Sequence, residues 1–327
     1  MIENFSCINL RCFEEKKLNL DSNFTLIEGE NGSGKTTVLE GISLCLRGKS
    51  FLTGRINNLV KEGKEFLKVK TEIEGNSIVV TYSKLENKKE ILFNGKKEKL
   101  SKIYLSYPLF VFNGRLLNFV RTDLITLYKF FNIILSLYDK GYLKAYNEYL
   151  KALKQKRRLL TLNVKNDSIL PWNTILLERS KIIREKRKKF VKKINNLLRE
   201  DNFILYKENS LNENNSGVLD REFKEKKILT GCHRDRFYIL KENRDMRFFY
   251  SSGQQKNIFF DVLTAVGKAF AEKSGKKPVL LLDDFDSEFD SKNLQYCLNN
   301  VLENFQIILT TTDKDRYSDF NYNLISL

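Results

Sequence analysis

The sequence has a single histidine, His233, and no CxxC pair or Cys/His cluster at zinc-ligand spacing. That excludes a zinc centre of the usual kind. The five cysteines (Cys7, Cys12, Cys45, Cys232, Cys297) are scattered and odd in number, so they read as reduced, mostly buried thiols and not as a disulfide framework. Long hydrophobic runs are missing as well. The longest, such as Ile103 to Phe112, fall far short of the ~20 residues a membrane-spanning helix needs. The opening Met1-Ile2-Glu3-Asn4 has neither the basic nor the apolar region of a secretory signal. A cytoplasmic protein without a membrane partner is the expectation.

What is present describes a globular chain. With 327 residues and 42% hydrophobic content it can bury a sizeable core, as one large domain plus a smaller one. The formal net charge of +16 points to a polyanionic partner. Between Leu143 and Glu200, Lys and Arg outnumber Asp and Glu by 17 to 5, so three quarters of the excess sits in one segment. A uniform compositional habit would not concentrate charge in this way.

Periodicity divides the chain. Residues 24–28 form a short apolar run before a Gly-rich turn, and Val38, Leu39, Ile42 and Leu46 follow at helical spacing: strand, loop, helix. From Leu67 to Phe93 the period is two, with turn signals at Glu74-Gly75-Asn76 and Phe93-Asn94-Gly95, which predicts an antiparallel meander. Ile103–Phe112 reads as a further strand. Leu143, Tyr146, Leu150, Leu153 and Leu160, then Ile183, Phe190, Ile194 and Leu197 beyond a linker containing Pro171, predict a hairpin of two amphipathic helices. Their charged faces are either merely solvated or turned toward DNA. After the Asn-rich stretch 209–217, Val279–Leu282 and Phe305–Thr310 read as buried strands. The expected fold is α/β: a P-loop core with an antiparallel β subdomain, assembled from both chain ends (1–122 and 206–327), with a basic helical arm inserted at 123–205.

Gly29-Glu30-Asn31-Gly32-Ser33-Gly34-Lys35-Thr36 fits GxxxxGK[ST] without a mismatch. Glycines let the backbone curl so that successive N–H groups face phosphate oxygens, and the helix behind adds its positive N-terminus. Lys35 is expected to reach the β- and γ-phosphates and Thr36 to ligate Mg²⁺, with Thr37 counted among the ATP-binding residues. Val279-Leu280-Leu281-Leu282-Asp283-Asp284 delivers two carboxylates to a strand end. Asp283 is expected to hold Mg²⁺, directly or through water, and Asp284 to act as general base or to orient the attacking water.

Tyr250-Ser251-Ser252-Gly253-Gln254-Gln255 resembles the signature sequence of ABC-type ATPases, a class in which one subunit's signature covers the γ-phosphate held by the other. Ser251, Gly253 and a helix beginning near Gln254 would supply donors and a dipole. A site divided in this way is complete only in an ATP-bound homodimer, and Lys35 and Asp284 are then the catalytic pair.

Together the motifs resemble the RecF family. The resemblance rests on Ile8-Asn9-Leu10-Arg11-Cys12-Phe13, the phosphate loop, Gly48-Lys49-Ser50-Phe51-Leu52-Thr53, Gly231-Cys232-His233-Arg234-Asp235, the signature, and the run from Asp283 through Ser287-Glu288-Phe289-Asp290. It covers nearly the whole chain. It implies an ABC-type ATPase that dimerises on ATP, binds double-stranded or gapped DNA, and with a RecR-like partner helps load RecA during recombinational repair. It also implies that Arg11 approaches the nucleotide, although a surface arginine is the equal alternative, and that His233 is structural or at a dimer interface. The chain departs from the family in several places. Leu127-Tyr128-Lys129-Phe130-Phe131 stands where an Arg-rich run is usual, Arg236 replaces a second Asp, Cys232 a proline, and Asn113-Gly114-Arg115 the common Ser-Pro-Glu. These changes leave open a RecF-like ATPase of another DNA-associated system with a different client. A transporter subunit requires neither the basic insert nor the GCHRD segment. A chromosome-scaffold ATPase is excluded because helices of this length reach only ~30 Å.

Overall fold

The structure, a computed structural model, describes residues 1–20, 22–113, 124–164, 168–199, 201–209, 216–285 and 289–327. The chain divides into two units, Met1–Asn118 with Ser252–Leu327, and Phe119–Ser251.

The first unit is built on a parallel sheet whose strands come from both chain ends, in the order Asn323–Ser326, Phe24–Glu28, Gln306–Thr311, Val279–Asp283 and Leu109–Asn113. Val279–Asp283 and Gln306–Thr311 are buried along their whole length, as expected for parallel strands covered on both faces. The helix Lys35–Arg47 packs its apolar stripe (Val38, Leu39, Ile42, Leu46) into this core. An antiparallel sheet runs in the order Phe13–Asn19, Ile2–Leu10, Phe66–Ile73, Asn76–Ser83, Lys88–Phe93 and Lys96–Lys97. Its hairpin turns carry left-handed pairs, Glu74 (φ 51°) with Gly75 (φ 70°) and Asn94 (φ 49°) with Gly95 (φ 77°), the geometry that matches strand twist. The buried amide of Gln306 joins the two sheets. It accepts from the Ile2 N–H at 2.6 Å and donates to the Ile2 carbonyl at 2.8 Å. This is the P-loop core with an antiparallel subdomain that the sequence predicts.

The predicted strand over Ile103–Phe112 is half wrong. Leu100–Ser106 is a helix with Ile103 buried, and only Leu109–Asn113 pairs with Val279–Asp283. Pro108 explains the switch, because it disfavours helical geometry at Tyr107 and releases the chain into extended form.

In the second unit, helices Leu124–Tyr138, Lys140–Thr161 and Leu170–Asn195 pack with an antiparallel sheet ordered Arg244–Asp245, Arg236–Lys241, Asn202–Lys207. Pro171 lies in the first turn of the third helix and not in a linker, since a helix start needs no N–H there. The buried stripe of the second helix is centred on Tyr142, Ala145, Tyr149, Ala152 and Leu153, leaving Leu150 40% exposed. The tyrosines set that face because their hydroxyls have buried partners. Arg187, fully buried, donates to Asp235 (3.0 Å), the Cys232 carbonyl (2.7 Å), and the side chains of Tyr128 (2.9 Å), Asn132 (2.8 Å) and Tyr142 (3.2 Å). The described residues between 206 and 251 therefore group with the helical arm, whereas the expected boundary at 205/206 put them with the head. Strand Asn202–Lys207 pairs with Arg236–Lys241, and Asp235 is the counter-ion of Arg187. The expected boundary at 122/123 and the residues Gly114, Arg115, Ser287 and Glu288 lie outside the described residues.

Candidate nucleotide-binding site

The loop after Phe24–Glu28 turns on Gly32 (φ 90°) and Gly34 (φ 103°) before the helix opens at Lys35. Gly34 has a second constraint: a Cβ there would stand 2.4 Å from the Phe13 ring. Lys35 is buried, and its Nζ donates to the carbonyls of Gly29 (2.7 Å) and Glu30 (2.9 Å), so the ammonium sits inside the loop's own curl. The Ser33 hydroxyl is buried without a hydrogen-bond partner among the described residues. A cavity of about 300 Å³ opens in front of the loop, lined by Asn31, Gly32, Gly34, Lys35, Thr36 and Thr37, with Arg11, Cys12 and Asp284.

The acidic strand end meets this loop. Thr36 Oγ1 donates to Asp283 Oδ1 at 2.8 Å, and Thr310 Oγ1 donates to the same oxygen at 3.1 Å. Thr310 also accepts from the Asp284 N–H at 3.0 Å, turning Asp284 (φ 48°) toward the cavity. Burial pushes the Asp283 carboxyl above its ordinary 3.8; the Thr36 hydrogen bond opposes this and the Asp284 charge adds to it. Thr36 and Asp283 thus present two hard oxygen donors side by side, a donor set that suits Mg²⁺, with water and phosphate oxygens completing the shell. Among the described residues no cluster of three or more His, Cys, Asp or Glu could hold a metal.

Arg11 is neither free at the surface nor directed only at the cavity. Its guanidinium ion-pairs with Glu40, Nε to Oε2 at 2.6 Å and Nη2 to Oε1 at 2.8 Å. Glu40 is 1% exposed and also accepts from the Ser50 hydroxyl, which in turn receives the N–H groups of Leu52 (2.9 Å) and Thr53 (3.1 Å). One carboxylate inside the P-loop helix therefore ties together the three N-terminal motifs. Sequence reasoning did not single out Glu40; the signal was a charged residue between the apolar positions Leu39 and Ile42.

The signature helix spans Ser252–Ser274, starting two residues before Gln254. Gly253 and Gln254 are not among the residues lining the cavity, and Ser251 is the exposed last residue of the second unit. Beyond the acidic end, Asp290 caps the helix Ser291–Leu302 by accepting from the Asn293 N–H at 2.8 Å. His233 is tucked against Tyr149, Nδ1 to hydroxyl 2.6 Å. Burial first, then the Arg234 charge, lowers it from 6.5 to about 4, so it is a neutral packing residue. Cys12 is the one exposed cysteine; the other four are buried. No helix among the described residues is long and apolar enough to cross a membrane.

A family model described as "RecF/RecN/SMC N terminal domain" matches residues 1–325. The chain is 30% identical to the DNA replication and repair protein RecF of Leptospira biflexa, covering 97% of this chain and 92% of that protein. It is 29% identical to RecF of Clostridium novyi, over 95% and 92% of the two chains. Among solved structures it resembles the recombination mediator protein RecF-ATPrS of the RecFOR pathway, with a TM-score of 0.86 and 25% identity over 100% of this chain and 96% of that one. An Smc head domain from Pyrococcus furiosus shares the fold, with a TM-score of 0.55 at 16% identity over 99% and 92%.

Proposed function

The chain belongs to the RecF family of ABC-type ATPases, and from that premise we propose that it is an ATP-dependent DNA-binding protein of recombinational repair. The observation that carries the proposal is the convergence of Lys35, Thr36, Asp283 and Asp284 on one phosphate-sized loop. Lys35 exchanges the carbonyls of Gly29 and Glu30 for β- and γ-phosphate oxygens, and the N–H groups from Gly29 to Thr37 cradle the rest. Thr36 and Asp283 would hold Mg²⁺, which would neutralise phosphate charge. Asp284 orients the attacking water or takes its proton. Ser251, Gly253 and Gln254 from a second copy close over the γ-phosphate, so hydrolysis waits on homodimer closure and is slow.

The DNA-binding part of the reading is supported by the helices Lys140–Thr161 and Leu170–Asn195. Lys189 and Lys192 are exposed there without an acidic partner among the described residues, whereas Lys188 is engaged by Glu208 at 2.7 Å. A cytoplasmic protein acting on gapped or double-stranded DNA with a RecR-like partner fits this charge. One observation favours a different client. Leu127, Tyr128 and Phe131, in place of the family's Arg-rich run, are core residues.

Sedimentation of the wild type and Lys35→Ala with Mg-ATP tests the shared site. Wild type dimerising while the variant stays monomeric is the expected result; equal behaviour of the two sinks the model.

A further inference from the structure

Two and three residues before Ser251 stand two aromatic side chains in solvent, Phe249 at 63% and Phe248 at 74% exposure. A single exposed phenylalanine is ordinary. An adjacent pair, on a turn held from four sides, is not. The short helix Met246–Phe249 is capped by Asp245, which accepts from the Arg247 N–H at 3.0 Å. The Asp245 carboxylate also clamps the Arg247 guanidinium, at 3.0 Å from Nε and 2.6 Å from Nη2. Met246 is buried at 1% exposure, and the Tyr250 hydroxyl donates to the Lys241 carbonyl at 2.8 Å. The Arg247 guanidinium lies 4.8 Å from the Phe248 ring centroid and so supports one side of it. The rings are presented on a fixed backbone, which removes much of the ordering penalty that binding otherwise carries.

We infer that Phe248 and Phe249 are an apolar contact of the nucleotide-dependent dimer, and that their occupant is a second copy of this chain at the mouth of its phosphate loop. The inference rests on the shared-site reading above and deepens it. Chain continuity carries it. Two residues span at most ~7 Å and three at most ~11 Å, so a Ser251 that reaches a γ-phosphate in the other copy brings both rings to the rim of that copy's cavity. The rim includes Asn31 and Gly32, which are exposed, and beyond Gly32's own chain neighbours no atom of the described residues stands within 4 Å of where its Cβ would be. Open glycine backbone is a surface on which a flat ring can pack. Closure then removes aromatic surface from water at the same moment as it completes the site, so the rings favour the closed state and contribute nothing to the open one. Because a two-fold dimer uses the same patch twice, each substitution is felt twice.

The test compares wild type, Lys35→Ala and the double variant Phe248→Ser/Phe249→Ser by sedimentation velocity with and without Mg-ATP, with ATP affinity read separately on the monomer. Both rings are exposed, so the double variant is expected to keep its thermal midpoint. The expected result is unchanged ATP affinity with dimerisation weakened at least ~10-fold. Dimerisation equal to wild type overturns the inference while leaving the shared site standing. A wild type that stays monomeric with Mg-ATP overturns both. A reporter gives an independent reading: Phe249→Trp in a Trp172→Phe background, Trp172 being the sole tryptophan. Its emission shifts to the blue with ATP if the position is covered on closure, and stays unshifted in a dimer if it is not.

Discussion

Thr36 and Asp283 lie 247 residues apart in the chain, yet the threonine hydroxyl donates to the aspartate Oδ1 at 2.8 Å. The parallel sheet makes this contact by setting the strand ending in Glu28 and the strand ending in Asp283 on either side of Gln306–Thr311. Asp283 is correspondingly strained as a charge. Its carboxyl titrates above 3.8 because burial disfavours the anion.

That gives the first prediction. A carboxyl whose folded pKa is raised holds its proton to higher pH than in the unfolded chain, so stability falls as pH rises above 3.8. Asp283→Asn keeps an acceptor for Thr36 and Thr310 and removes the charge. The nucleotide-free variant is expected to melt higher than wild type while ATP hydrolysis falls ~10²-fold or more. A lower melting temperature together with retained turnover would contradict this role for Asp283.

Glu40 holds Arg11 and Ser50 from inside the P-loop helix. Glu40→Ala leaves a buried hydroxyl and a guanidinium without their acceptor, a loss of about 2 kcal/mol, or roughly 4–8 °C in thermal midpoint. Calorimetry on the variant checks it, and an unchanged midpoint would show that the pair is dispensable. Weaker ATP binding is expected alongside, because Arg11 lines the cavity.

Acid should loosen the second unit through His233. Its folded value of about 4 lies below the ordinary 6.5, so between those pH values the unfolded chain takes up a proton that the folded one refuses. Stability from this group is fully present above pH 6.5 and is lost as pH falls toward 4, with ~2 kcal/mol gone by pH 5. Urea titrations of wild type and His233→Gln at pH 7 and pH 5 measure the difference. Identical pH dependence in the two proteins rules His233 out as the source.

Charge reversal at Lys189 and Lys192 is expected to weaken DNA binding and to lower the log–log salt slope by ~0.9 per lost phosphate contact. Reversal at Lys188, already engaged by Glu208, changes it less. An unaltered slope in all three variants would place DNA elsewhere on the molecule.

The nucleotide loop was legible in the sequence because its chemistry is local. Glycines that must turn, a lysine and a threonine at fixed offsets, and an apolar strand ending in acids all report on their own neighbourhoods. The assembly of the head from both chain ends was legible for the same reason, through motifs at each end. What escaped depends on partners distant in sequence. Nothing near Arg187 announces that it is buried against Asp235, so the extent of the arm was misjudged. The predicted stripe through Tyr146 and Leu150 passed over Tyr142 and Tyr149, whose hydroxyls meet Arg187 and His233 from distant parts of the chain. Pro108 and Pro171 were visible, but each acts according to its position in an element, a helix end for one and a helix start for the other.

The central claim is that ATP gates DNA binding through closure of two copies. It is tested most directly by fluorescence anisotropy with gapped duplex DNA at physiological salt, with and without Mg-ATP. The account predicts tighter binding with ATP, and loss of that gain in Lys35→Ala. Equal affinity with and without ATP, or no binding in either state, would contradict it.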